Sequence, residues 1–460
     1  MSTPETNPAG SPTVEVRTDR PANGGDAVGR VDGRVVFVRG AIPGERVRAR
    51  ITDDSASGFW RAEAIEILEP SPHRVDEVCP AAAEGAGCCN LGFVDLAYSR
   101  ELKTQVLTDA LVRIGHLDPA DLEAAGLGAD LTGDAVPGAV TSLGDDGTRW
   151  RIRTRLGVDA TGRAGQHARQ EARVIAGYPC AAPEPVLSLG LDDIVFTPGA
   201  DVAAVVDADG HRHLVELAPA RPAGRARGRR GRAQSVRRHR EAPRAERVVE
   251  GDAVATHRVG GRVWRIPVTG FWQAHRDAPT VYARTVVDML AAAGVSGAST
   301  AWDLYGGAGV FAAALLDEPG LLGVAGDGHD GAVHVVESDN RSLAAAAETF
   351  DGDERISLHR GEVSAVLTDL PAPDVVVLDP PRTGAGAAVI EKIAAADPDV
   401  VVHVGCDVGR FARDLALFAD HGYRLREIRS FDAFPHTHHV EAIACLVPAY
   451  VTPRCALPPR

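Results

Sequence analysis

The second half of the chain alternates short apolar runs with longer segments of helical spacing. The apolar runs hold four to six residues, and a glycine-rich turn or an alanine-rich amphipathic stretch follows the first two. Continuous apolar runs of this length predict strands buried on both faces, as in parallel sheets. We therefore predict a doubly wound, mostly parallel α/β sheet. Strands are predicted at 301–304, 332–336, 355–359, 374–378, 400–404 and 442–447, and helices at 310–316 and 341–350.

The first 70 residues show a different pattern, in which apolar and polar residues alternate over short stretches. Asp32-Gly33 separates two of these stretches, and this pair favours a tight hairpin turn. Five short strands in this space predict a small barrel of the oligonucleotide-binding type. A barrel of this type with no role in RNA binding is the alternative. Stretches that read as strands are 14–17, 35–38, 46–51 and 62–68.

The residues between these two regions have a weaker pattern. Apolar spacing predicts a helix at 98–116, residues 117–138 are predicted as a loop, and β-like runs follow at 149–158, 202–206 and 211–217. Because 460 residues are more than one ordinary hydrophobic core accommodates, two or three domains are expected. The predicted divisions are a disordered tail at 1–10, an OB-like barrel at 11–70, a central α+β domain at 71–265 and an α/β catalytic domain at 266–460.

Charge is distributed unevenly along the chain. The formal net charge of −14 argues against a general nucleic-acid coat. Residues 221–247 hold 11 arginines against two glutamates, a local balance of +9, so the rest of the chain carries −23. This arginine-, glycine- and alanine-rich composition predicts a disordered insertion at 220–247, which is either a solvated loop or a phosphate-binding arm.

The sequence predicts neither membrane insertion nor secretion. No apolar run approaches the roughly 20 residues that span a bilayer. Residues 1–10 lack the basic-then-apolar order of a secretory signal, so we expect a cytoplasmic protein without a membrane partner. Seven cysteines in a chain this long do not indicate a disulfide framework.

Three reactive side chains are predicted at one edge of the α/β sheet. Cys406 follows the strand at 400–404, Asp379 follows the strand at 374–378, and Glu441 precedes the strand at 442–447. Ligands of such sheets bind outside the carboxyl ends of the strands. A free cysteine is most often a small buried apolar residue. A helix that starts after Cys406 would lower the pKa of the thiol, which favours covalent catalysis with a carboxylate handling a proton.

Two turns at the same edge indicate ligand binding. Residues 303–309 form a glycine-rich turn that lacks a G-x-G-x-x-G spacing and a lysine, so neither NAD nor ATP fits well. With Glu337 placed to hold ribose hydroxyls, the turn suits S-adenosylmethionine, and a tight structural turn is the alternative. The turn Asp379-Pro380-Pro381-Arg382 is of the kind that holds a flipped-out base, or it is structural.

Two clusters could bind metal. Residues 435–441 contain three histidines and Glu441 without the HExxH order of zinc proteases, so we interpret Glu441 as a general base instead. The second cluster is formed by cysteines that either bind a metal or have no role. Its members are Cys79, Cys88, Cys89 and the more distant Cys180.

Taken together, the motifs resemble the RNA uracil-5 methyltransferase family, and the resemblance covers nearly the whole chain. Residues 11–70 look like its N-terminal RNA-binding TRAM domain, and Gly405-Cys406-Asp407 looks like its nucleophile motif. The resemblance implies a Rossmann-like class I methyltransferase domain that uses S-adenosylmethionine. The other matching segments are Gly270-Phe271-Trp272-Gln273, Asp303 to Gly309, Leu378 to Gly384 and Pro435 to Glu441.

The resemblance also implies a mechanism. Cys406 would add to C6 of a uracil, the resulting C5 enolate would take the methyl group, and Glu441 would remove the C5 proton. Val310 stands where the family often has a polar cofactor contact. The residues implied to hold cofactor and base are Gln273, Tyr305, Glu337 and Asp379.

The cysteine cluster points to a branch of this family. Ribosomal RNA members often carry an iron–sulfur cluster, which the resemblance places on Cys79, Cys89 and Cys180, with Cys88 as the remaining ligand. Ala86 stands where the usual C-x-x-C has its first thiol. We therefore expect a [4Fe–4S] cluster and the 23S ribosomal RNA branch, acting as a monomer. A transfer RNA enzyme, a small-molecule or protein methyltransferase and a non-catalytic RNA-binding protein are the alternatives.

Overall fold

The computed structural model describes residues 12–127, 140–144, 146–169, 173–220, 244–323 and 331–449. The predicted tail at 1–10 and residues 221–243 of the predicted insertion lie outside these residues. In the part that is described, no helix is long and apolar enough to cross a membrane.

The N-terminal strands close into a barrel with the order β1-β2-β3-β5-β4. Asp32 and Gly33 both have positive φ, at 48° and 80°, as the predicted tight hairpin turn requires. Alternate residues such as Val36 and Val38 fill the interior and are fully buried. The prediction of a small five-stranded barrel is confirmed. Its strands are β1 (Thr13–Pro21), β2 (Ala27–Val31), β3 (Arg34–Arg39), β4 (Arg46–Asp53) and β5 (Phe59–Glu69).

The central region contains a six-stranded sheet, β12-β11-β10-β7-β8-β9, and the hairpin β13-β14. Its helices are α1 (Pro80–Ala83), α2 (Leu96–Arg113), α3 (Pro119–Ala124) and α4 (Pro185–Ser188). Its strands are β6 (Thr141–Ser142), β7 (Arg153–Val158), β8 (Ala164–His167), β9 (Val174–Ala176), β10 (Asp201–Val206), β11 (Arg212–Leu217), β12 (Glu246–Glu250), β13 (Val254–Val259) and β14 (Arg262–Pro267).

Two predictions for this region are wrong in detail. The loop predicted at 117–138 contains α3, whose first turn is capped by the side chain of Asp118. The predicted disordered insertion extends too far, because Arg244 forms an ion pair with Asp201 and Arg247 lies in β12, paired with Glu216. Partners distant in sequence therefore order residues whose local composition predicts disorder.

The C-terminal half forms an eight-stranded sheet with the order β17-β16-β15-β18-β19-β21-β20-β6. Strands β15 to β19 are parallel, and β21 is antiparallel to both β19 and β20. The predicted α/β sheet is confirmed. Its strands are β15 (Thr300–Leu304), β16 (Ala332–Glu337), β17 (Ile356–Arg360), β18 (Val375–Leu378), β19 (Val400–Gly405), β20 (Tyr423–Asp432) and β21 (Glu441–Pro448). Its helices are α5 (Ala278–Ala292), α6 (Val310–Asp317), α7 (Asn340–Thr349), α8 (Val363–Val366), α9 (Ala387–Ala395) and α10 (Val408–Asp420).

Apolar layers cover both faces of this sheet. Helices α5, α6 and α7 contribute buried residues to one layer, whereas α2, α9 and α10 contribute to the other. Leu107 and Leu111 of α2 are fully buried there, although α2 belongs to the central region by sequence. Strand β6 also joins the sheet beside β20. The large sheet is therefore completed by residues far upstream.

Candidate active site

The carboxyl ends of three parallel strands, β15, β18 and β19, meet at one edge of the large sheet. The strand order reverses between β15 and β18, and ligands of open α/β sheets bind at such a reversal. Asp379 lies directly after β18, and its N–H donates to the last carbonyl of β15 at 3.2 Å. Gly405 of β19 pairs with Ala442 of β21, so the next residues outward, Cys406 and Glu441, stand opposite one another. This edge brings the predicted thiol and both predicted carboxylates together.

The thiol of Cys406 is half-buried and holds its proton tightly. Burial raises the pKa of Cys406 to about 12, and the nearby carboxyls of Glu441 and Asp379 add to the shift. The expectation that the following helix lowers this pKa is therefore wrong. The side chain of Asp407 accepts the N–H of Arg410 at 2.9 Å, so a carboxylate already occupies the N-terminus of α10.

The two carboxyls of the site also bind protons unusually well. Glu441 is 7% exposed, and burial raises its pKa to about 8, assisted by the like charge of Asp379. Burial likewise raises the pKa of Asp379 to about 7. Groups with such pKa values exchange protons readily near neutral pH. The edge can therefore both accept and return a proton.

Tyr282 of α5 belongs to this edge, but the sequence analysis missed it. It is 1% exposed, and its hydroxyl has no hydrogen-bond partner among the described residues. Burial raises the pKa of Tyr282 well above its ordinary value, and the charges of Glu441, Asp379 and Cys406 raise it further. A tyrosine on the apolar face of a helix is usually a core residue, so no sequence pattern indicated a role for this position.

Asp414 of α10 is a second residue that the sequence analysis missed. It is fully buried, and its carboxylate accepts the backbone N–H of Ala385 at 2.7 Å and of Gly386 at 3.3 Å. His403 of β19 places Nε2 3.4 Å from the same carboxylate. Gly384 leaves no room for a side chain, because a Cβ there would lie 2.5 Å from Asp414. Asp414 thus links the strand before Cys406 to the loop after Asp379.

The glycine-rich turn after β15 is built to lie close to a ligand. Tyr305 and Gly309 have positive φ, at 58° and 82°. The carboxylate of Glu337 accepts the N–H of Gly307 at 3.1 Å, which ties the end of β16 to the turn. Asp303 is fully buried, and its Oδ1 has no partner among the described residues. The turn is therefore half-buried and covers an unsatisfied, buried carboxyl oxygen beside two acidic strand ends.

Gln273 is half-buried, and the residue before it packs near this turn. Its neighbour Trp272 packs against Trp264 with ring centroids 5.8 Å apart, and Trp264 Nε1 donates to Ala308 O at 2.9 Å. Two residues before Gln273, the ring of Phe271 is 67% exposed. An exposed aromatic ring at a cleft is a surface on which an unpaired base can stack.

The barrel contacts the segment that leads to Glu441. The side chain of Asn90 donates to Gly24 O of the barrel at 3.1 Å and to His438 Nδ1 at 3.0 Å. It also accepts the backbone N–H of His438 at 3.1 Å. Among the described residues the histidines at 436–439 do not converge as metal ligands.

Arginines surround this junction. Burial lowers the pKa of His438 to about 4, and the positive charges of Lys103, Arg382, Arg169 and Arg39 lower it further. Arg39 ends β3 of the barrel, Arg169 belongs to the central region and Arg382 follows Asp379, so three parts of the chain contribute cations. A chain of net charge −14 therefore places positive charge at the mouth of its candidate site.

The four cysteines predicted as ligands lie together. Their Sγ atoms are all within 4.8 Å of one another, and Cys180 Sγ is 3.8 Å from both Cys79 Sγ and Cys88 Sγ. A [4Fe–4S] cluster places four iron atoms between its ligands, so their sulfurs must lie roughly 6 Å apart. These distances do not fit that cluster. The convergence of Cys79, Cys88, Cys89 and Cys180 is as predicted, whereas the iron–sulfur prediction has no support in this geometry.

Known proteins resemble the chain in sequence and in fold. Residues 12–65 match the TRAM domain family. The tRNA (uracil-54, C5)-methyltransferase of Pyrococcus abyssi, solved with S-adenosyl-L-homocysteine, has a TM-score of 0.61 and 18% identity, over 94% of this chain and 99% of that one. At this identity the likeness shows the fold, which has the predicted barrel and Rossmann-like methyltransferase domain.

Relatives in other bacteria match over nearly the whole chain. An RNA methyltransferase of Corynebacterium diphtheriae is 39% identical over 94% of this chain and 96% of its own length. One of Corynebacterium glutamicum is 38% identical over 94% and 96%, and one of Streptomyces avermitilis is 35% identical over 95% and 98%. This chain belongs to the RNA (uracil-5-)-methyltransferase family. Membership of its 23S ribosomal RNA branch stays a prediction.

Most of the residues predicted for this family member lie at one edge of the sheet. Cys406, Glu441 and Asp379 are adjacent there, and Tyr305 and Glu337 lie at the neighbouring strand ends. Gln273 is half-buried, and its neighbour Trp272 packs against Trp264, which donates a hydrogen bond to the turn. Val310 begins α6, and the expected lack of a polar cofactor contact there stays a prediction.

Proposed function

We propose that this RNA methyltransferase transfers a methyl group from S-adenosylmethionine to C5 of a uridine in RNA, forming 5-methyluridine. The observation that carries the proposal is the position of Cys406 directly opposite Glu441 and beside Asp379. A nucleophile and a base on the same face of one substrate are what this reaction requires, because uracil C5 does not react with a methyl donor by itself. The substrate expected first is 23S ribosomal RNA, and transfer RNA is the alternative.

The chain's side chains perform the proton and covalent steps. Sγ of Cys406 forms a bond to C6, its proton passes to a neighbouring carboxylate, and the electron pair of the C5–C6 double bond moves to C5 and O4. C5 would then bond to the methyl carbon as the bond from that carbon to the cofactor sulfur breaks, which leaves S-adenosylhomocysteine, and Glu441 takes the C5 proton. Breaking the S–C6 bond restores the double bond, and the sulfur regains a proton from the carboxyl that accepted it in the first step. A base whose pKa is about 8 suits this proton transfer.

The edge of β15 and β16 fits S-adenosylmethionine. The unpartnered Oδ1 of Asp303 and the half-buried backbone of the glycine-rich turn would offer acceptors and close approach, and we place the ribose hydroxyls at Glu337. When bound, this cofactor supplies an electrophilic methyl group. We propose that Gln273, Tyr305, Glu337 and Asp379 hold cofactor and base.

The RNA is proposed to bind between barrel and catalytic sheet. Arg39, Arg169 and Arg382 can neutralise phosphates there, and such contacts supply affinity without reading sequence. The exposed ring of Phe271 can stack on an unpaired base. We propose that the protein acts as a cytoplasmic monomer.

Mapping of 5-methyluridine by mass spectrometry tests this function. The ribosomal and transfer RNA pools of cells with and without the protein are compared, and purified protein is then incubated with the RNA that lost the modification. We expect one uridine to lose its C5 methyl group in vivo and to regain it in vitro. Unchanged 5-methyluridine in both pools, together with no transfer in vitro, would refute the proposal. Loss of 5-methyluridine from the transfer RNA pool alone would show that transfer RNA, and not ribosomal RNA, is the substrate.

A further inference from the structure

The four cysteines have the geometry of a site for one metal ion. Cys79 and Cys89 are buried, Cys88 and Cys180 are half-buried, and none of them takes part in the chemistry at Cys406. A tetrahedral ion with metal–sulfur bonds of about 2.3 Å has ligand sulfurs about 3.8 Å apart. Cys180 Sγ lies 3.8 Å from Cys79 Sγ and 3.8 Å from Cys88 Sγ, and all four sulfurs lie within 4.8 Å of one another.

From this agreement we infer that Cys79, Cys88, Cys89 and Cys180 bind a single zinc ion rather than a four-iron cluster. Four thiolates are soft ligands that favour zinc among the common divalent ions, and four protein ligands are typical of a structural site. Because sulfurs that bind a cubane stand roughly 6 Å apart, the same four side chains cannot ligate one without moving apart.

The surroundings provide charge that such a site needs. Four thiolates and a divalent zinc ion carry a net charge of −2. Arg151 lies close enough for Cys180, Cys89 and Cys88 to interact with its charge, and Arg169 interacts with Cys88 in the same way. These two cations balance the charge of a zinc–thiolate site.

The ion would join two segments that lead to the catalytic edge. After Cys89, Asn90 contacts His438 and the N–H of Leu91 donates to His436 O at 2.9 Å, within the segment that ends at Glu441. After Cys180, the chain runs beside 149–151 through the hydrogen bond from Arg151 N to Ala182 O at 3.0 Å. Residues 150–152 in turn bond to 274–276, directly after Gln273. Zinc would therefore fix these two segments relative to each other.

Metal analysis of the full-length protein tests the inference. Protein purified anaerobically and without chelators, from cells supplied with both iron and zinc, is assayed for zinc, iron and acid-labile sulfide. We expect one zinc per chain without sulfide, and cobalt substitution should give the visible bands of a tetrahedral thiolate site. Iron with sulfide, one iron without sulfide, or no metal would each overturn the zinc assignment.

Variants test which thiols bind the ion. Cys79→Ser and Cys180→Ser should lose the zinc and lower the Tm by roughly 10 °C, as removal of a structural ion does. Cys445→Ala is the matched control, since Cys445 is a buried cysteine of β21 outside the cluster, and it should keep one zinc per chain. Full zinc content in both serine variants would overturn the assignment. If a serine variant fails to fold, the metal and sulfide content of the unmodified protein still distinguishes a zinc site from an iron–sulfur cluster.

Discussion

We propose two different roles for the cysteines of this chain, and the difference lies in their neighbours. Within the described part of the chain Cys406 belongs to no cluster of thiols, and it faces two carboxyls that help to hold the pKa of its thiol high. The cluster of Cys79, Cys88, Cys89 and Cys180 places four thiols together beside arginines. Carboxyl neighbours keep a thiol protonated until a substrate arrives, whereas grouped thiols share a cation. Residue type alone therefore does not assign the role of a cysteine.

Replacing Cys406 should have the largest effect, because it should stop methyl transfer and leave metal binding by the cluster unchanged. Cys406→Ala should abolish methyl transfer to uridine, a loss of about 10⁴-fold or more, because the covalent route has no substitute nucleophile. The zinc content and the Tm should stay unchanged, since the thiol is half-buried and lies outside the cluster. A methylation assay, metal analysis and thermal unfolding of the same preparation check this. Undiminished transfer would exclude the covalent mechanism.

Replacing Glu441 should stop the reaction after the methyl group has moved. Glu441→Gln cannot take the C5 proton, so breakdown of the adduct should slow by about 10²- to 10³-fold. An RNA–protein adduct should then accumulate on denaturing gels, with Cys406→Ala as the control that forms none. Fast turnover of Glu441→Gln without an adduct would show that another group removes the C5 proton.

Asp414 tests whether the loop after Asp379 must be held in place. Asp414→Ala removes the acceptor of two loop N–H groups and should lower the single-turnover rate by about 10- to 100-fold. The matched control is Asp420→Ala, at the exposed end of the same helix. Rates are measured below the unfolding transition of both variants. Equal rates in the two variants would show that Asp414 has no positioning role.

The proton held by Glu441 should also appear in the pH dependence of stability. Burial raises the pKa of Glu441 to about 8 from 4.5, so the folded protein keeps a proton that the unfolded chain releases above about pH 4.5. The contribution of Glu441 to stability therefore becomes less favourable as the pH rises from about 4.5 through 8. Glu441→Gln should gain about 4 kcal/mol relative to the unmodified protein between pH 5 and pH 9. Urea unfolding at both pH values checks this, and a constant difference would contradict the raised pKa.

The sequence was sufficient to predict the site residues that lie at the ends of strands. Cys406, Asp379 and Glu441 could be placed together because parallel strands present their carboxyl ends at one edge. Tyr282 and Asp414 could not be predicted, since an apolar helix face gives no sign of what its polar atoms meet across the sheet. The pKa of Cys406 was predicted in the wrong direction, because its causes are burial and two carboxyls 27 and 35 residues away in the chain.

The cysteine cluster shows a similar limit of prediction from sequence, which here concerns the identity of the bound metal. The sequence predicted which cysteines converge, but the distances between sulfurs come only from the folded chain, and they fit one ion. The expectation of a ribosomal substrate rested on an iron–sulfur cluster. If zinc is found, that expectation depends on RNA mapping alone.

RNA that carries 5-fluorouridine at the target position tests the central claim most directly. Fluorine at C5 cannot leave as a proton does, so the adduct should persist after methyl transfer. We predict a stable complex whose mass equals protein, RNA and one methyl group, linked through the peptide that contains Cys406. Formation of 5-methyluridine in ordinary RNA with no adduct on the fluorinated RNA, or an adduct at another residue, would contradict the account.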